Sequence, residues 1–370
     1  TINKHTVRYN MSKEKFRYSM IYDDIKKDIL EDVYTVGSLL PTEQVLSEKY
    51  DVNRSTLRKA MQMLADEGLI EKCPGKGTVV LSSVPAAAEP PKVTTNKNIG
   101  FFLPKENIIT EPFYSSLFNI LERDFQKNGC SLIYTTLDSS DNIAEKTAAL
   151  GLSGIVFVSN VSQKHIEYAI SQNIPCVLVN SYSDKLPSIL SDNRRGAYLA
   201  GRHLIANGHK NVAILAGVRS YLSNQERLSG FLQAFQEEGL TIRPELILET
   251  GSWLYDAAEK VCFDFFSTYK GEMPTALFAF NDRLATGAIN AICKTGLTVP
   301  GDVSVIGYDN LGYYNIISPR ISTVETHIEA ISESTVMHMI WQLNNGNCLP
   351  VKVLTPVEVV PGETVRSLLP

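Results

Sequence analysis

The chain has 370 residues, more than one hydrophobic core usually serves, so two or three cooperating units are expected. Hydrophobic residues make up 44% and charged residues 20%. No apolar run approaches the roughly 18 residues of a membrane span, which points to a soluble globular protein and no membrane partner. The net charge of −5 argues against a wholly basic nucleic-acid binder and leaves a local basic face as the remaining option.

In chain order, Thr1 to Phe16 is polar, without the basic, apolar and small-residue succession of a secretory signal, so a cytoplasmic location is expected. From Tyr18 to Leu30 the residues Met20, Ile21, Ile25, Ile29 and Leu30 fall on one helical stripe. A second short helix, Thr42 to Tyr50, follows Pro41. A third is capped by Asn53, has Leu57, Ala60, Met61 and Leu64 as its inner face, and stops at Gly68. Between Val52 and Met61 this helix carries Arg54, Arg58 and Lys59 and no acid, which makes it the local positive face. Two extended runs, Leu69–Lys72 and Thr78–Leu81, flank the Pro- and Gly-bearing turn Cys73–Gly77. Three helices and a hairpin describe a winged helix-turn-helix. Ser82 to Asn98, with Pro85, Pro90 and Pro91 and no apolar period, reads as a linker.

Beyond it, apolar strand-like runs alternate with amphipathic helices about 25 to 30 residues apart, the pattern of doubly wound parallel sheets. The runs are Ile99–Leu103, Ser131–Tyr134, Ile155–Val158, Pro175–Val179, Val212–Leu215, Leu246–Leu248, Ala276–Phe280 and Val303–Ile306. They are many for one sheet, and a break near Leu190–Arg195 favours two Rossmann-like lobes with a ligand between them. The expected fold class is therefore α/β: a winged-helix head joined to a two-lobed domain of parallel sheets.

Ligands of such sheets lie beyond the carboxyl ends of the strands, and the residues there are polar. Val179 is followed by Asn180, Phe280 by Asn281 and Asp282, and Ile306 by Gly307, Tyr308, Asp309 and Asn310. Oriented amides and carboxylates suit a hydroxyl-rich ligand, and Phe113, Tyr114 and Trp253 supply rings for an apolar sugar or base face. By cap preference Asp282 is expected to start the helix Arg283–Ile292, and Arg227 to be a solvated charge. Gly75–Thr78 fails the phosphate-loop pattern twice, since Ile70 stands where the first Gly belongs and Gly77 separates Lys76 from Thr78. Zinc-protease, nucleophile-elbow and dinucleotide motifs do not occur, so neither an enzyme nor a cofactor is expected. The six cysteines form no C-x-x-C pair and have no His at zinc spacing, so no metal is expected and the thiols read as buried or free. His203 and His209, flanking Asn207-Gly208, read as surface or capping groups.

Tyr22 to Val80 contains Leu40-Pro-Thr-Glu43, Tyr50-Asp-Val-Asn-Arg-Ser-Thr-Leu-Arg-Lys-Ala60, Leu64-Ala-Asp-Glu-Gly-Leu-Ile70 and Gly75-Lys-Gly-Thr78, and it resembles the DNA-binding head of the GntR family. The resemblance implies double-stranded operator DNA as partner. The helix from Asn53 enters the major groove with Arg54 reading bases and Ser55, Thr56 and Arg58 touching phosphate or base. Thr42, Glu43 and Lys59 belong to the same face, and the wing of Gly75, Lys76 and Gly77 follows the minor groove.

Asn98 to Pro370 resembles the LacI-family effector domain through Glu111-Pro-Phe-Tyr114, Ser191-Asp-Asn-Arg194, His203-Leu-Ile-Ala-Asn-Gly-His209, Glu226-Arg-Leu-Ser-Gly-Phe231, Phe280-Asn-Asp-Arg-Leu-Ala-Thr-Gly287, Pro300-Gly-Asp-Val-Ser-Val-Ile-Gly-Tyr-Asp309 and Ser318-Pro-Arg-Ile-Ser-Thr323. Its implied effector residues are Phe113, Tyr114, Asn180, Ser191, Ser223, Arg227, Trp253, Asn281 and Asp309. A GntR-type head on a LacI-type sensor resembles the arabinose-repressor-like chimeric class. That implies a homodimeric repressor of carbohydrate genes with a mono- or disaccharide effector and a linker lacking the usual Leu-containing hinge helix. The implied boundaries are 17–81 for the head, 82–97 for the linker and 98–370 for the sensor. Within the sensor, one lobe comprises about 98–191 and 325–344, the other about 192–322 and 348–370. The rival readings are a solute-binding protein and a sensor for a non-sugar metabolite such as a nucleoside.

Overall fold

The computed structural model describes residues 20–22, 24–30, 33–66, 69–73, 77–81, 97–105, 111–312, 318–346 and 349–369. It divides into two compact units, Thr1–Thr95 and Asn96–Pro370. The expected Gly68 helix stop, the linker from 82 to 96 with its missing hinge helix, and the first 16 residues lie outside the described residues.

In the first unit, helix α1 (residues 20–22 and 24–30) buries Ile21, Ile25 and Ile29, a stripe of residues four apart. Met20 and Leu30, expected on that stripe, are exposed, because each lies one position off it. Helix α2 (Glu43–Lys49) is capped by Thr42, whose hydroxyl accepts from the Val45 amide at 3.4 Å. Helix α3 (Arg54–Asp66) is capped by Asn53, whose Oδ1 accepts from the Thr56 amide at 2.8 Å. Its Leu57, Ala60 and Leu64 close the core. Strands β1 (Ile70–Cys73) and β2 (Gly77–Val80) pair antiparallel from Ile70↔Val80 to Cys73↔Gly77. Helices and hairpin together form the expected winged helix.

The second unit holds two parallel sheets. The first-lobe strands are β3 (Lys97–Pro104), β4 (Cys130–Leu137), β5 (Leu152–Val158), β6 (Cys176–Val179) and β7 (Ser188–Ser191). Their side chains alternate between two cores. Ile99, Phe101 and Leu103 pack toward α4 (Pro112–Gln126), whereas Phe102, Ile155, Phe157 and Leu178 pack with Ile143 and Ile166, on α5 (Ile143–Ala149) and α6 (Gln163–Ser171). The second-lobe strands are β8 (Val212–Ala216), β9 (Ile247–Glu249), β10 (Ala276–Ala279) and β11 (Ser304–Ile306), ordered β11-β10-β8-β9. They are flanked by α7 (Asn193–Ala206), α8 (Leu222–Glu237), α9 (Tyr255–Thr268) and α10 (Asp282–Lys294), with Phe231 stacked on Phe278 at 4.6 Å.

Strand β12 (Thr323–Glu325) leads into α11 (Ile328–Asn345), which packs against α4 in the first lobe. Strand β13 (Lys352–Thr355) follows, then β14 (Glu358–Val360), which pairs antiparallel with β12. Everything beyond residue 348 was expected in the second lobe, but β13 pairs parallel with β7 at the edge of the first-lobe sheet, ordered β13-β7-β6-β5-β3-β4. A four-residue edge strand with Lys352 and Leu354 exposed lacks the buried run that marks the inner strands. The chain therefore passes between lobes after β7, after β12 and after β13. Strand β3 begins at Lys97, which had been assigned to the linker. Among the described residues no helix is long and apolar enough to cross a membrane.

Candidate functional site

Eleven of the described residues of the second unit close on a cavity of about 70 Å³ between its lobes: Glu111, Phe113, Tyr114, Ser159, Asn180, Tyr221, Ser223, Arg227, Trp253, Asn281 and Asp309. The first lobe contributes through the amino end of α4 and the residues after β5 and β6. Ser159 and Asn180 donate their amides to Val179 O at 2.8 Å and Ile189 O at 3.0 Å, and then turn left-handed, with φ of 66° and 52°. Asp309 does the same beyond β11, with φ of 107° and its amide on Val324 O at 2.8 Å. Asparagine and aspartate tolerate positive φ better than serine, and such backbone at three strand ends is of the kind that clusters at functional sites.

Ser223 and Arg227 are four apart on α8 and share the face toward the cavity. Asn224, between them on the same helix, is buried, and its Oδ1 accepts from the Gly217 amide at 2.9 Å. Gly217 has no Cβ because the Trp253 ring lies where one would be, 2.6 Å away. The Arg227 guanidinium is buried and held on several sides. Nε donates to Asn193 Oδ1 at 2.9 Å, Nη2 to Asp309 Oδ1 at 3.2 Å and Nη1 to Phe280 O, while the plane lies 3.7 Å from the Tyr308 ring centre. Gly196 makes room for that tyrosine, since a Cβ there would meet the Tyr308 hydroxyl at 2.2 Å. Burial pushes the Asp309 carboxyl up to about 6 despite Arg227 beside it. Its neighbour Asp282 is also raised, first by burial and then by Asp309.

Asp282 is not the cap of α10. Asn281 takes that place, accepting from the Leu284 amide at 2.7 Å. Asp282 is buried and accepts from Thr323 Oγ1 at 2.6 Å, tying α10 to β12. Across the cleft, Glu111 ahead of α4 meets Arg283 of α10 at 3.3 Å. Burial raises the Glu111 carboxyl, against the lowering effect of Arg283. Among the described residues, Asn180 Oδ1 is buried without a hydrogen-bond partner.

In the head, Asn53, Arg54, Ser55, Arg58 and Lys59 are exposed along the amino end of α3. Arg54 makes no ion pair among the described residues. Arg58 Nε instead lies 3.0 Å from Glu43 Oε2, and Lys72 Nζ of β1 lies 2.7 Å from Glu43 Oε1. Glu43 is thereby held ionised, its carboxyl lowered chiefly by Lys72, and it bridges α2, α3 and the hairpin. Thr56, expected to touch DNA, is buried, because the third residue of α3 turns inward behind the Asn53 cap. Thr42 is exposed with its hydroxyl engaged as the α2 cap. Gly77 is exposed at φ 113°, while Gly75 and Lys76 lie outside the described residues.

Comparisons with known proteins agree with this division. Residues 17–80 match the bacterial regulatory proteins of the gntR family, and residues 202–365 match the periplasmic binding protein-like domain. The chain is 32% identical over 246 residues to the HTH-type transcriptional repressor PurR of Actinobacillus pleuropneumoniae serotype 3, covering 65% of this chain and 71% of that protein. It is 31% identical to the HTH-type transcriptional regulator DegA of Bacillus subtilis, covering 60% and 67%. The chain belongs to the HTH-type transcriptional regulators, with a GntR head and a LacI-type effector domain. A LacI-family regulator of Enterococcus faecium with bound ribose has the same fold, at TM-score 0.66 and 24% identity, over 74% of this chain and all of that one. So has a regulator of Alkaliphilus metalliredigens complexed with D-xylulofuranose, at TM-score 0.64 and 24% identity, over the same shares.

The chain is a ligand-responsive repressor of this family, and its relatives are regulators, not enzymes. The structure gathers Phe113, Tyr114, Asn180, Ser223, Arg227, Trp253, Asn281 and Asp309 at the cavity. Ser191 does not join them. It is buried at the end of β7, where the chain leaves for the other lobe. Arg227 is buried rather than solvated, because Asp309 and the Tyr308 ring replace water around it. His209 is likewise interior, its ring between Thr275 Oγ1 and Arg366 O, each at 3.0 Å. The residues not anticipated are Glu111, Ser159 and Tyr221. Ser159 follows the run ending at Val158 just as Asn180 follows Val179, so the strand-end rule reaches it. Glu111 precedes Pro112 at the first position of α4, a helix-start signal that marks its place but not its partner.

Proposed function

We propose that the cleft senses a small, uncharged, hydroxyl-rich molecule, a mono- or disaccharide, and that the regulator binds a two-fold operator as a homodimer held by its sensor units. The carrying observation is the hydrogen-bonding character of the cavity. Among the described residues, Asn180 Oδ1 is an acceptor without a donor, and the Arg227 and Asp309 charges neutralise each other. A buried acceptor left unpaired costs about 1 to 3 kcal/mol, which a ligand hydroxyl recovers. Phe113 and Trp253 supply faces for the apolar side of a sugar ring. Two solved chains of this fold hold a pentose or pentulose.

The 70 Å³ cavity is far below the roughly 300 to 1,000 Å³ of small-molecule pockets, so the lobes part to admit the ligand. Their reclosure changes the geometry of the dimer and hence its affinity for DNA, a coupling typically of about 1 to 3 kcal/mol and reciprocal between the two ligands.

Thermal melting against monosaccharides, disaccharides and nucleosides tests the sensor. A ligand at about 100 times its dissociation constant adds about 2.7 kcal/mol. A shift with one sugar supports the reading; a shift with nucleosides alone replaces it with the nucleoside class, and no shift counts against sugars. On the DNA side, Arg54→Ala is expected to cost about 1 to 3 kcal/mol on operator DNA and much less on random DNA if Arg54 reads a base. Equal losses in a gel-shift series would reduce it to a phosphate contact.

A further inference from the structure

Among the described residues, two of the ion pairs that join the lobes differ in what an opening motion would do to them. Lys352 of β13 lies 3.4 Å from Glu226 of α8, which also accepts from Asn193 Nδ2 at 3.3 Å. Asn193 opens α7 directly after the passage from β7, so that pair belongs to the hinge. Glu111 and Arg283 belong to none of the three crossings. They stand at the amino ends of α4 and α10, each at a strand's carboxyl end, and Glu111 lines the cavity.

Arg283 is otherwise badly placed. A cation in the first helical turn opposes the helix dipole, and Asp282 beside it is turned inward to Thr323. Among the described residues the buried Nη1 of Arg283 has no hydrogen bond, and Glu111, whose Oε1 lies 3.3 Å away, is the carboxylate it pairs with by charge. Glu111 suits the amino end of α4, whose first turn has no acidic residue and no side-chain cap. Side-chain exposures of 29% for Arg283 and 16% for Glu111 make this a half-desolvated pair, screened less than a surface one.

We propose that Glu111 and Arg283 form a clasp across the effector cleft: positioning residues that hold the lobes closed and set how far the empty regulator favours the closed arrangement. The proposal rests on the cleft being the effector site, but its test needs no effector. The amides of Phe113, Tyr114 and Arg283 fall in first helical turns, where no intrahelical acceptor exists, so their hydrogen exchange reports whether the cleft lips are covered.

Hydrogen exchange of the full-length, ligand-free protein is compared for wild type, Glu111→Gln, Arg283→Gln and the reversed pair Glu111→Arg with Arg283→Glu. Each single variant is expected to speed exchange about threefold to tenfold at both 111–116 and 281–285, although only one lobe is altered. The reversed pair is expected to return both segments toward wild-type rates. Faster exchange confined to the substituted lobe, or reversal that restores nothing, overturns the clasp. A sugar panel that produces no melting shift overturns the effector reading and leaves these exchange rates as they are, so the two failures are separable.

Discussion

Arg227→Ala is expected to destabilise the sensor unit by about 3 to 5 kcal/mol and to abolish the response to effector, because it leaves Asp309 charged and unpaired in the interior. Arg227 and Asp309 are both buried, and among the described residues no other cation is bonded to that carboxylate. The pH dependence distinguishes this cause from lost packing. With Arg227 present the Asp309 carboxyl is already raised to about 6, and without it burial acts unopposed and raises it further. Protonation favours the folded state of such a group, so the penalty is full above its folded pKa and shrinks as pH falls through it toward the ordinary carboxylate range. Urea midpoints for wild type and variant should therefore lie farther apart at pH 8 than at pH 5. A gap independent of pH would mean that the loss comes from the cavity alone.

The second large effect is expected at Gly230, with no charge involved. A Cβ there would lie 1.9 Å from the Arg194 carbonyl oxygen and 3.0 Å from its Cα, so α7 and α8 touch backbone to backbone at this point. Alanine in a helix gains about 1 kcal/mol over glycine in propensity. Overpacking costs about 1 to 3 kcal/mol and more where the obstacle is backbone, so the clash prevails. Gly230→Ala is expected to lose at least about 2 kcal/mol. It should also weaken effector binding, because α8 carries Ser223 and Arg227. Gly239→Asn, at a left-handed φ of 69° after α8 with nothing among the described residues within 4 Å, is the control and should leave the melting temperature near wild type. Equal behaviour of the two variants would refute the close helix contact.

Much of this molecule is legible along the chain because the signals are local. The α1 stripe at Ile21, Ile25 and Ile29, the Asn53 cap and the pairing of β1 with β2 depend on residues close along the chain, as do the apolar runs ending at Val158, Val179 and Ile306. The rule that ligands gather past strand ends led to Asn180, Asn281 and Asp309 and, applied once more, reaches Ser159. The GntR-like and LacI-like segments carry the class of the protein in the same local way.

Partners and directions are not local. Arg227 reads as a surface charge until an aspartate 82 residues away is brought beside it. Asp282 passes for a cap until Thr323 claims it and Asn281 takes the role, and Ser191 passes for a ligand contact until β7 buries it. Lys352–Thr355 joins the other lobe because an exposed edge strand is placed by the open edge of β7 and not by its own hydrophobicity. Period, caps and turns belong to the order of residues along the chain, and these set the elements, the two units and the regulator class. Which charges are neutralised, which acceptor waits unpaired and which helix ends face across the cleft depend on strand order and on burial. Those are set only when segments far apart in the chain pack together and exclude water.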